Sequence, residues 1–177
     1  MELPLTSIVV GEAESFWFAI QTRPRYEKKV VSELQEKGIN VFLPLFSVKR
    51  QWSDRQTVVH PPLFPSYVFV RIALTLSDRV SILRTNGVTG FVGVRGVGTP
   101  IPDGEIEALR TVIKQKMAFE PYPYLKIGRR VCIRGGSLDG IEGMLTAING
   151  DQSLVVSVDL IQRSIAIRIT GYSIEAT

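Results

Sequence analysis

Four basic side chains follow the first predicted strand and have the chemistry to bind phosphate groups. They are Arg23, Arg25, Lys28 and Lys29, in the stretch RPRYEKK. Segment 21–55 holds eight Lys or Arg residues and four Asp or Glu residues, and this excess of four equals the net charge of +4 of the whole chain. A basic field in one segment predicts contact with nucleic acid or another anionic surface. A solvated helix face is the alternative, because the excess is too small for tight binding through phosphates alone.

Few residues have the type and spacing that catalysis or metal binding requires. His60 is the single histidine and has no evident partner, and Cys132 lies in a predicted buried strand, where thiols are usually unreactive. The glycine-rich stretch 93–100 lacks the strand–loop–helix context of a phosphate-binding loop. No carboxylate cluster has the spacing of metal ligands. We therefore expect a protein that is not an enzyme and that binds no cofactor or metal ion.

The composition is typical of a globular protein. Of the 177 residues, 45% are hydrophobic and 21% are charged, which argues against disorder. No apolar run approaches the roughly 18 residues that span a bilayer. The N-terminal segment is acidic and the chain has a single cysteine, so secretion is not indicated and a reduced compartment fits. We expect a cytoplasmic monomer that does not associate with membranes.

Residues 15–117 alternate between strand and helix patterns in the order βαββαβα. This order predicts a sheet with helices packed on it. The predicted strands cover residues 16–22, 40–50, 67–72 and 88–94, with a kink at Pro44 in the second strand. Residues 51–63 are expected to form a polar hairpin or loop. The predicted helices cover residues 26–38, 77–87 and 103–117.

Local signals define the ends and faces of these elements. Ser77 and Asp78 can cap the start of the second helix. In strand 67–72, alternation puts Tyr67 and Phe69 on one face and Val68 and Val70 on the other. The third helix is expected to bury an apolar stripe formed by Ile106, Leu109 and Ile113.

The pattern of the sequence changes after residue 117, from alternating strands and helices to short strands. Residues 118–126 contain two prolines and two tyrosines and are predicted to be a semi-rigid linker. Beyond them, the segments VCIRG, GMLTAI, LVVSVDL and SIAIRIT are rich in β-branched residues and are separated by turn signals, which predicts a small β-barrel. The predicted organisation is an α+β chain with a tail at 1–14, a first domain at 15–117, a linker at 118–126 and a barrel at 127–177.

Six motifs in a fixed order resemble one protein family. They are WFAIQTRPRYEKKV, RQWSDR, PLFPSYVFV, GVTGFVG, PIPDGEIEAL and finally GRRVCIRGGSLDGIEG. The last is similar to the KOW motif, with Ser137 where that motif often has proline. Together they resemble the NGN and KOW domains of the NusG family of bacterial transcription elongation factors, over about residues 15–177. RPRYEKKV and RQWSDR look most like the specialised UpxY and RfaH paralogues, which are antiterminators of polysaccharide-biosynthesis operons.

The resemblance implies a hydrophobic docking site for the clamp helices of the largest subunit of RNA polymerase. Large aromatic side chains suit such a site because they bury much area at small entropic cost. Gln21 departs from the specialised paralogues, which have an aromatic residue at that strand end. The alternative is that the matching residues are ordinary core. The residues that match the docking site are Tyr67, Phe69, Phe91, Ile106 and Leu109.

The resemblance also implies contact with the non-template DNA strand. Lys and Arg would hold phosphates, and Asn and Thr could reach the edge of an unstacked base. Trp52 adds a possible stacking surface on a hairpin tip, although it could equally pin the hairpin to the domain. The residues that match the DNA-binding face are Arg23, Arg25, Lys28, Lys29, Arg84, Thr85 and Asn86.

In the KOW domain, the turn DLIQRS occupies the position of a partner-binding tip. The general family factor has an aromatic residue followed by glycine there, and the tip contacts termination factor Rho or a small-subunit ribosomal protein. Ile161, Gln162 and Arg163 stand at this tip. Loss of the aromatic residue predicts weakened contact with either partner, and weakened Rho contact would suit an antiterminator.

The sequence alone also allows other interpretations of the function. One is the housekeeping NusG factor, which couples polymerase to Rho and the ribosome. Another is a KOW protein that binds RNA or ribosomes without contacting polymerase. One paralogue stores its second domain as a helical hairpin, but the alternating β-branched segments LVVSVDL and SIAIRIT favour strands. Whether the second domain inhibits the first is left open.

Overall fold

The computed structural model describes residues 14–52, 55–125, 128–148 and 150–177, and it confirms the α+β class. The elements of the first domain are β1 (Phe16–Thr22), α1 (Glu27–Glu36), β2 (Asn40–Phe42), β3 (Val48–Trp52), β4 (Arg55–Val59), β5 (Tyr67–Ile72), α2 (Leu76–Leu83), β6 (Val88–Phe91) and α3 (Asp103–Lys114). The elements that follow are β7 (Phe119–Tyr122), β8 (Arg129–Arg134), β9 (Glu142–Ile148), β10 (Asp151–Val158), β11 (Arg163–Arg168) and β12 (Ser173–Ala176). Within these ranges, no helix has the length and apolar character needed to cross a bilayer.

The first domain is built on an antiparallel sheet with the strand order β2-β5-β1-β6. Side chains along β5 alternate between its two faces, as the sequence predicts. Val68 and Val70 belong to a buried cluster with Val30 of α1. Phe69 belongs to a different cluster, with Leu109 of α3. The sheet therefore carries α1 on one face and α3 on the other.

Helix α2 begins with a reciprocal cap. The Asp78 N–H donates to the Thr75 hydroxyl at 3.1 Å, and the Thr75 N–H donates to the Asp78 carboxylate at 3.3 Å. Asp78 therefore takes part in the cap, as predicted. The prediction for Ser77 is wrong, because the capping hydroxyl has to lie three residues before the carboxylate and Thr75 occupies that position.

Helix α3 is buried on more than one side. It contacts β1 of the first sheet and β10 of the second sheet. Ile106 and Leu109 are buried, as predicted, whereas Ile113 is only half-buried. A single apolar stripe underestimates the buried surface of a helix that packs between two sheets. The buried residues of α3 are Ile106, Ala108, Leu109 and Val112.

The second predicted strand, residues 40–50, is divided in the structure into β2 and β3. Pro44 is buried between them, and its carbonyl accepts a hydrogen bond from the Leu63 N–H at 2.7 Å. Proline has no N–H to donate, so the ladder with β5 ends before it. The chain then forms the antiparallel hairpin of β3 and β4, with Val48 opposite Val59. The polar segment 51–63 thus contributes one strand of a hairpin.

The second sheet is antiparallel, with the strand order β12-β8-β9-β10-β11-β7. The four β-rich segments predicted from the sequence all form strands, so this part of the chain is not a helical hairpin. Gly143 in β9 lies so close to β10 that a Cβ atom would be 2.5 Å from the Val155 carbonyl oxygen. The apolar core includes Val131, Ile133, Leu154, Val156, Ile165 and Ile167.

The segment predicted to be a linker contains a strand. Residues Phe119–Tyr122 form β7 and pair with β11 in antiparallel register, with Phe119 opposite Ile167 and Tyr122 opposite Ser164. The outer edge of β11 would otherwise leave backbone N–H and C=O groups without partners in the sheet. Sequence patterns miss this pairing because the two prolines of the segment resemble a linker, although an edge strand tolerates proline. Residue 126 of the predicted linker and residue 127 of the predicted barrel lie outside the described ranges.

Candidate functional site

The two segments predicted to contact DNA lie side by side. The backbone N–H of Arg23, just after β1, donates to the carbonyl of Gly87 at 2.8 Å. A Cβ atom on Gly87 would lie 2.6 Å from the Tyr26 ring, and φ at Gly87 is +100°. Only glycine fits this approach without strain. The start of α1 and the turn after α2 therefore form one surface, which we call the basic face (residues 23–29 and 84–87).

The cations of the basic face point into solvent. Arg23, Arg25, Lys28 and Lys29 are all exposed, and none forms an ion pair with another residue of the described ranges. The Lys29 ammonium lies 5.8 Å from the centroid of the Tyr26 ring. Unpaired cations beside a half-buried aromatic ring can bind a single-stranded nucleic acid by phosphate contact and stacking.

The turn after α2 divides into exposed and buried residues. Arg84 and Asn86 are exposed, as a binding role requires, whereas Thr85 is 2% exposed. The Thr85 hydroxyl accepts a hydrogen bond from the Lys37 ammonium at 2.7 Å and donates to the Ser81 carbonyl at 3.1 Å. The structure thus places Thr85 as a support of the turn rather than on its surface.

Two residues that the sequence did not single out hold the basic face in place. The Lys37 ammonium joins the end of α1 to the Ser81 carbonyl and to Thr85 at the end of α2. The buried carboxylate of Glu27 accepts from the Ser66 N–H at 2.8 Å and so ties the start of α1 to the turn before β5. Neither contact has a local sequence signal, because each partner is at least 39 residues away along the chain.

Three of the predicted docking residues meet in one cluster. Phe69, Ile106 and Leu109 are fully buried and belong to the cluster that continues from the first domain into the second sheet. The Phe69 ring is 6.1 Å from that of Phe42 and 6.4 Å from that of Phe64. In this arrangement of the chain, these three side chains are core.

Tyr67 borders that cluster, whereas Phe91 belongs to the other one. Tyr67 is half-buried at the margin of the same cluster and keeps part of its surface accessible. Phe91 lies in the cluster on the α1 side of the sheet, with its ring 6.3 Å from Phe18 and 5.2 Å from the Arg79 guanidinium. The structure does not bring Phe91 together with Phe69.

The hairpin of β3 and β4 contains the predicted stacking residue. Trp52 is the last residue of β3 and lies opposite Arg55 in the register. Trp52 therefore lies at the end of the β3–β4 hairpin, as the sequence predicts. The intervening residues 53–54 and the Trp52 side chain lie outside what the structure describes, so a stacking role stays a prediction.

The tip of the second domain faces the first domain. The Asp159 N–H, in the turn between β10 and β11, donates to the Glu105 carboxylate on α3 at 3.1 Å. Of the three predicted partner-binding residues at this tip, Ile161 is buried, whereas Gln162 and Arg163 are exposed. Gln162 has a left-handed backbone with φ +50° and ψ +46°, a conformation that favours glycine.

A cleft of about 560 Å³ separates α3 from the second sheet beside this contact. Burial in the cleft raises the pKa of Glu105 to about 6. The hydrogen bond from the Asp159 N–H lowers this pKa, the charge of Asp159 raises it, and the charge of Arg130 lowers it. The Arg130 guanidinium is 3.8 Å from the Asp159 carboxylate. The contact between the two domains therefore includes a carboxyl group whose pKa is raised toward neutrality.

Comparison with known proteins identifies the family. The family model described as "NusG: Transcription termination factor nusG" matches residues 15–110. The chain belongs to the NusG family. The Transcription termination/antitermination protein NusG of Lactococcus lactis is 30% identical over 174 residues, covering 90% of this chain and 91% of that protein. NusG of Borreliella burgdorferi is 26% identical over 179 residues, with coverage of 90% and 97%.

A solved structure supports the fold. The structure titled "Domain interaction in Thermotoga maritima NusG" has a TM-score of 0.55 with this chain at 19% identity, and the match covers 90% of this chain and 97% of that one. The family model and the curated relatives confirm the resemblance to the NusG family that the six motifs indicate. This chain is a NusG-like transcription termination or antitermination factor. The family is one of transcription factors.

Proposed function

We propose that this NusG-family chain binds the clamp helices of RNA polymerase and the non-template DNA strand, and that it suppresses pausing and termination at polysaccharide-biosynthesis operons. The observation that carries the proposal is that residues 23–29 and 84–87 lie side by side and form the basic face. It presents exposed cations from two distant segments at one end of β1, and Glu27 ties it to the turn that leads into Tyr67. The proposed DNA contact and the proposed protein contact would therefore lie on connected parts of the same sheet and helix arrangement.

For polymerase docking, we propose that Tyr67 makes the first contact. Its ring is the accessible margin of a large aromatic cluster that contains Phe69, Phe64 and Phe42. Clusters of this kind supply the buried centre of many protein interfaces. The second domain packs on α3, which contributes Ile106 and Leu109 to the same cluster. Full docking then requires the second domain to leave α3, so that the polymerase surface replaces it.

For DNA, we propose that Arg23, Arg25, Lys28 and Lys29 bind phosphates while Arg84 and Asn86 contact bases or sugars. The exposure of these side chains supports the assignment. Thr85 supports the turn instead of contacting the strand, because its hydroxyl is already bonded to Lys37 and Ser81.

The proposed mechanism involves no covalent chemistry. A factor that bridges the polymerase clamp and the exposed DNA strand binds the active, closed polymerase better than the swivelled, paused polymerase. Such differential binding shifts the population toward the active form by the ratio of the two affinities. Shorter pauses leave less time for termination, so read-through rises.

The second domain is proposed to have weakened contact with Rho or a ribosomal protein. Ile161, at the position of the family aromatic residue, is buried and offers little apolar surface to a partner. Gln162 stands where the general factor has glycine, and its long side chain is exposed. Both features favour an antiterminator over a factor that recruits Rho.

A housekeeping role as general NusG is the second candidate. It is favoured by the similarity to curated NusG proteins over 90% of the chain, at 30% identity with the Lactococcus lactis protein. A Rho-dependent terminator separates the two roles. A general factor raises Rho-dependent termination, whereas the proposed antiterminator lowers it or leaves it unchanged.

The test is single-round transcription with purified bacterial RNA polymerase on a template with a pause site and a terminator. The wild type is compared with Tyr67→Ala and with the matched control Phe16→Ala, which removes another partly exposed aromatic ring, from β1. We expect the wild type and the control to shorten the pause and raise read-through, and Tyr67→Ala to do neither. Unchanged pausing with the wild type on every template would contradict the proposed function.

A further inference from the structure

Strand β7 connects the two domains in two different ways. Its backbone pairs with β11 of the second sheet, from Phe119 opposite Ile167 to Tyr122 opposite Ser164. Its first side chain contacts the first domain, because the Phe119 ring lies 5.8 Å from the Phe46 ring at an interplanar angle of 62°. β7 therefore lies at the junction of the two domains and contributes to the second sheet.

The pairing of β7 is weaker than that of its neighbours. The ladder between β7 and β11 has four residue pairs, whereas the ladder between β11 and β10 has six. Pro121 supplies no N–H, and both Glu120 and Pro121 are exposed. A short edge strand that contains proline and glutamate has low intrinsic preference for the sheet. The two edge strands, β7 and β12, each pair over four residues, and only β7 contains a proline, so β7 is the edge strand that we expect to detach more readily.

Loss of β7 from the sheet would change the length of the connection between the domains. With β7 paired, only residues 115–118 lie between the end of α3 and the second sheet. The five steps from Lys114 to Phe119 span at most about 18 Å. With β7 unpaired, the connection runs from Lys114 to Arg129, and its fifteen steps reach about 50 Å.

We propose that β7 is a detachable tether: paired with β11 it holds the second domain against α3, and on release it lets that domain move away as an intact sheet. The remaining strands of the second domain keep the buried side chains of Ile133, Leu154 and Ile165, which belong to a cluster shared with α3, whereas β7 contributes only the half-buried Phe119 at its margin. Release breaks one edge ladder and the contact between Phe119 and Phe46, and it leaves the ladders of β8–β12 in place. Domain separation is then limited by β7 and not by the folding of the second domain.

Hydrogen–deuterium exchange of the full chain tests detachment directly. We expect the amides of β7 to exchange at least tenfold faster than those of β10, which lies inside the same sheet. We also expect the amides of β11 that face β7 to be less protected than those that face β10. Equal protection of β7 and β10 would overturn the proposal, because β7 would then open only together with the whole sheet.

A reversible disulfide tests the effect on reach. Glu120 and Ala166 lie opposite each other in the register, so the substitutions Glu120→Cys and Ala166→Cys can lock β7 onto β11 when oxidised. Cys132→Val removes the buried native thiol, and Ala108→Arg places a charge at the buried contact of α3 to open the domains. The matched control carries Glu120→Cys without Ala166→Cys and receives the same oxidant.

The readout is the maximum dimension of the particle by small-angle X-ray scattering. In the reduced protein we expect this dimension to increase by up to about 30 Å relative to the oxidised protein, which is the difference between the two tether lengths. The control should be equally extended with and without oxidant. Equal dimensions of the oxidised and reduced proteins would overturn the proposal, whether both are compact or both are extended. Circular dichroism in the two redox states checks that the sheet stays folded.

Discussion

The contact between Glu105 and the second domain predicts that the closed arrangement depends on pH. Burial is the largest cause that raises the pKa of Glu105 from 4.5 to about 6. The hydrogen bond from the Asp159 N–H lowers this pKa, and the negative charge of the Asp159 carboxylate raises it. A shift of this size corresponds to roughly 2 kcal/mol. Because Glu105 is only half-buried, solvent screening reduces the expected effect to about 1 kcal/mol.

The direction of the effect follows from the raised pKa. The folded structure favours the protonated carboxyl group, so the stabilisation is complete below pH 4.5 and is lost as the pH rises through 6. The substitution Glu105→Gln keeps an oxygen that can accept from the Asp159 N–H and removes the charge. We expect this variant to be more stable than the wild type by about 1 kcal/mol at pH 7.5 and of nearly equal stability at pH 4.5.

The assay is urea unfolding followed by circular dichroism at several pH values between 4.5 and 7.5. The matched control is Glu107→Gln, which removes the same charge from an exposed site on the same helix. The difference in unfolding free energy between Glu107→Gln and the wild type should change little between pH 4.5 and pH 7.5. The reasoning about Glu105 is refuted if its substitution gives the same stability difference at pH 4.5 and pH 7.5, or if it destabilises the protein at pH 7.5.

Three further predictions concern the basic face and the tip of the second domain. The double substitution Arg23→Glu and Arg25→Glu should weaken binding to single-stranded DNA, measured by fluorescence anisotropy. It should also lower the magnitude of the slope of log K against log salt by about 1 to 2. The control Lys114→Glu should change neither the affinity nor the slope. Thr85→Val should cost about 1 kcal/mol of unfolding free energy, because the partly buried Lys37 ammonium loses its acceptor and the Ser81 carbonyl loses its donor. A loss of DNA affinity without a loss of stability would contradict the supporting role. Gln162→Gly should stabilise the second domain by about 1 kcal/mol in thermal unfolding, since its φ is +50°; destabilisation would show that the side chain has a role.

The fold was largely predictable where patterns are local. The alternation along β5 and the β-branched segments of the second domain each predict an element that the structure contains. The failures arose where distant contacts decide the outcome. Pro44 divides a continuous apolar run, and the edge of β11 recruits β7 from a segment that looks like a linker. The boundary of the linker stays a prediction.

The structure shows where the predicted site residues lie, and their binding roles stay predictions. The family resemblance assigns two segments to one DNA-binding face, and the hydrogen bond between Arg23 and Gly87 shows that these segments are adjacent. The residues assigned are Arg23, Arg25, Lys28, Lys29, Arg84, Thr85 and Asn86. Sequence alone did not show that Thr85 points inward or that Phe91 lies on the opposite face of the sheet from Phe69. The side of a sheet that a residue occupies depends on register, and the exposure of a helix depends on what packs against it.

Docking on RNA polymerase is the central claim, and its most direct test is the affinity of the full chain for an assembled elongation complex. Binding to bacterial RNA polymerase on a nucleic-acid scaffold is measured for the wild type, Tyr67→Ala and Phe16→Ala, after circular dichroism has shown that all three are folded. We predict that Tyr67→Ala weakens binding at least tenfold, or about 1.4 kcal/mol, and that Phe16→Ala binds like the wild type. Equal affinity of wild type and Tyr67→Ala, or no binding by the wild type, would contradict the claim.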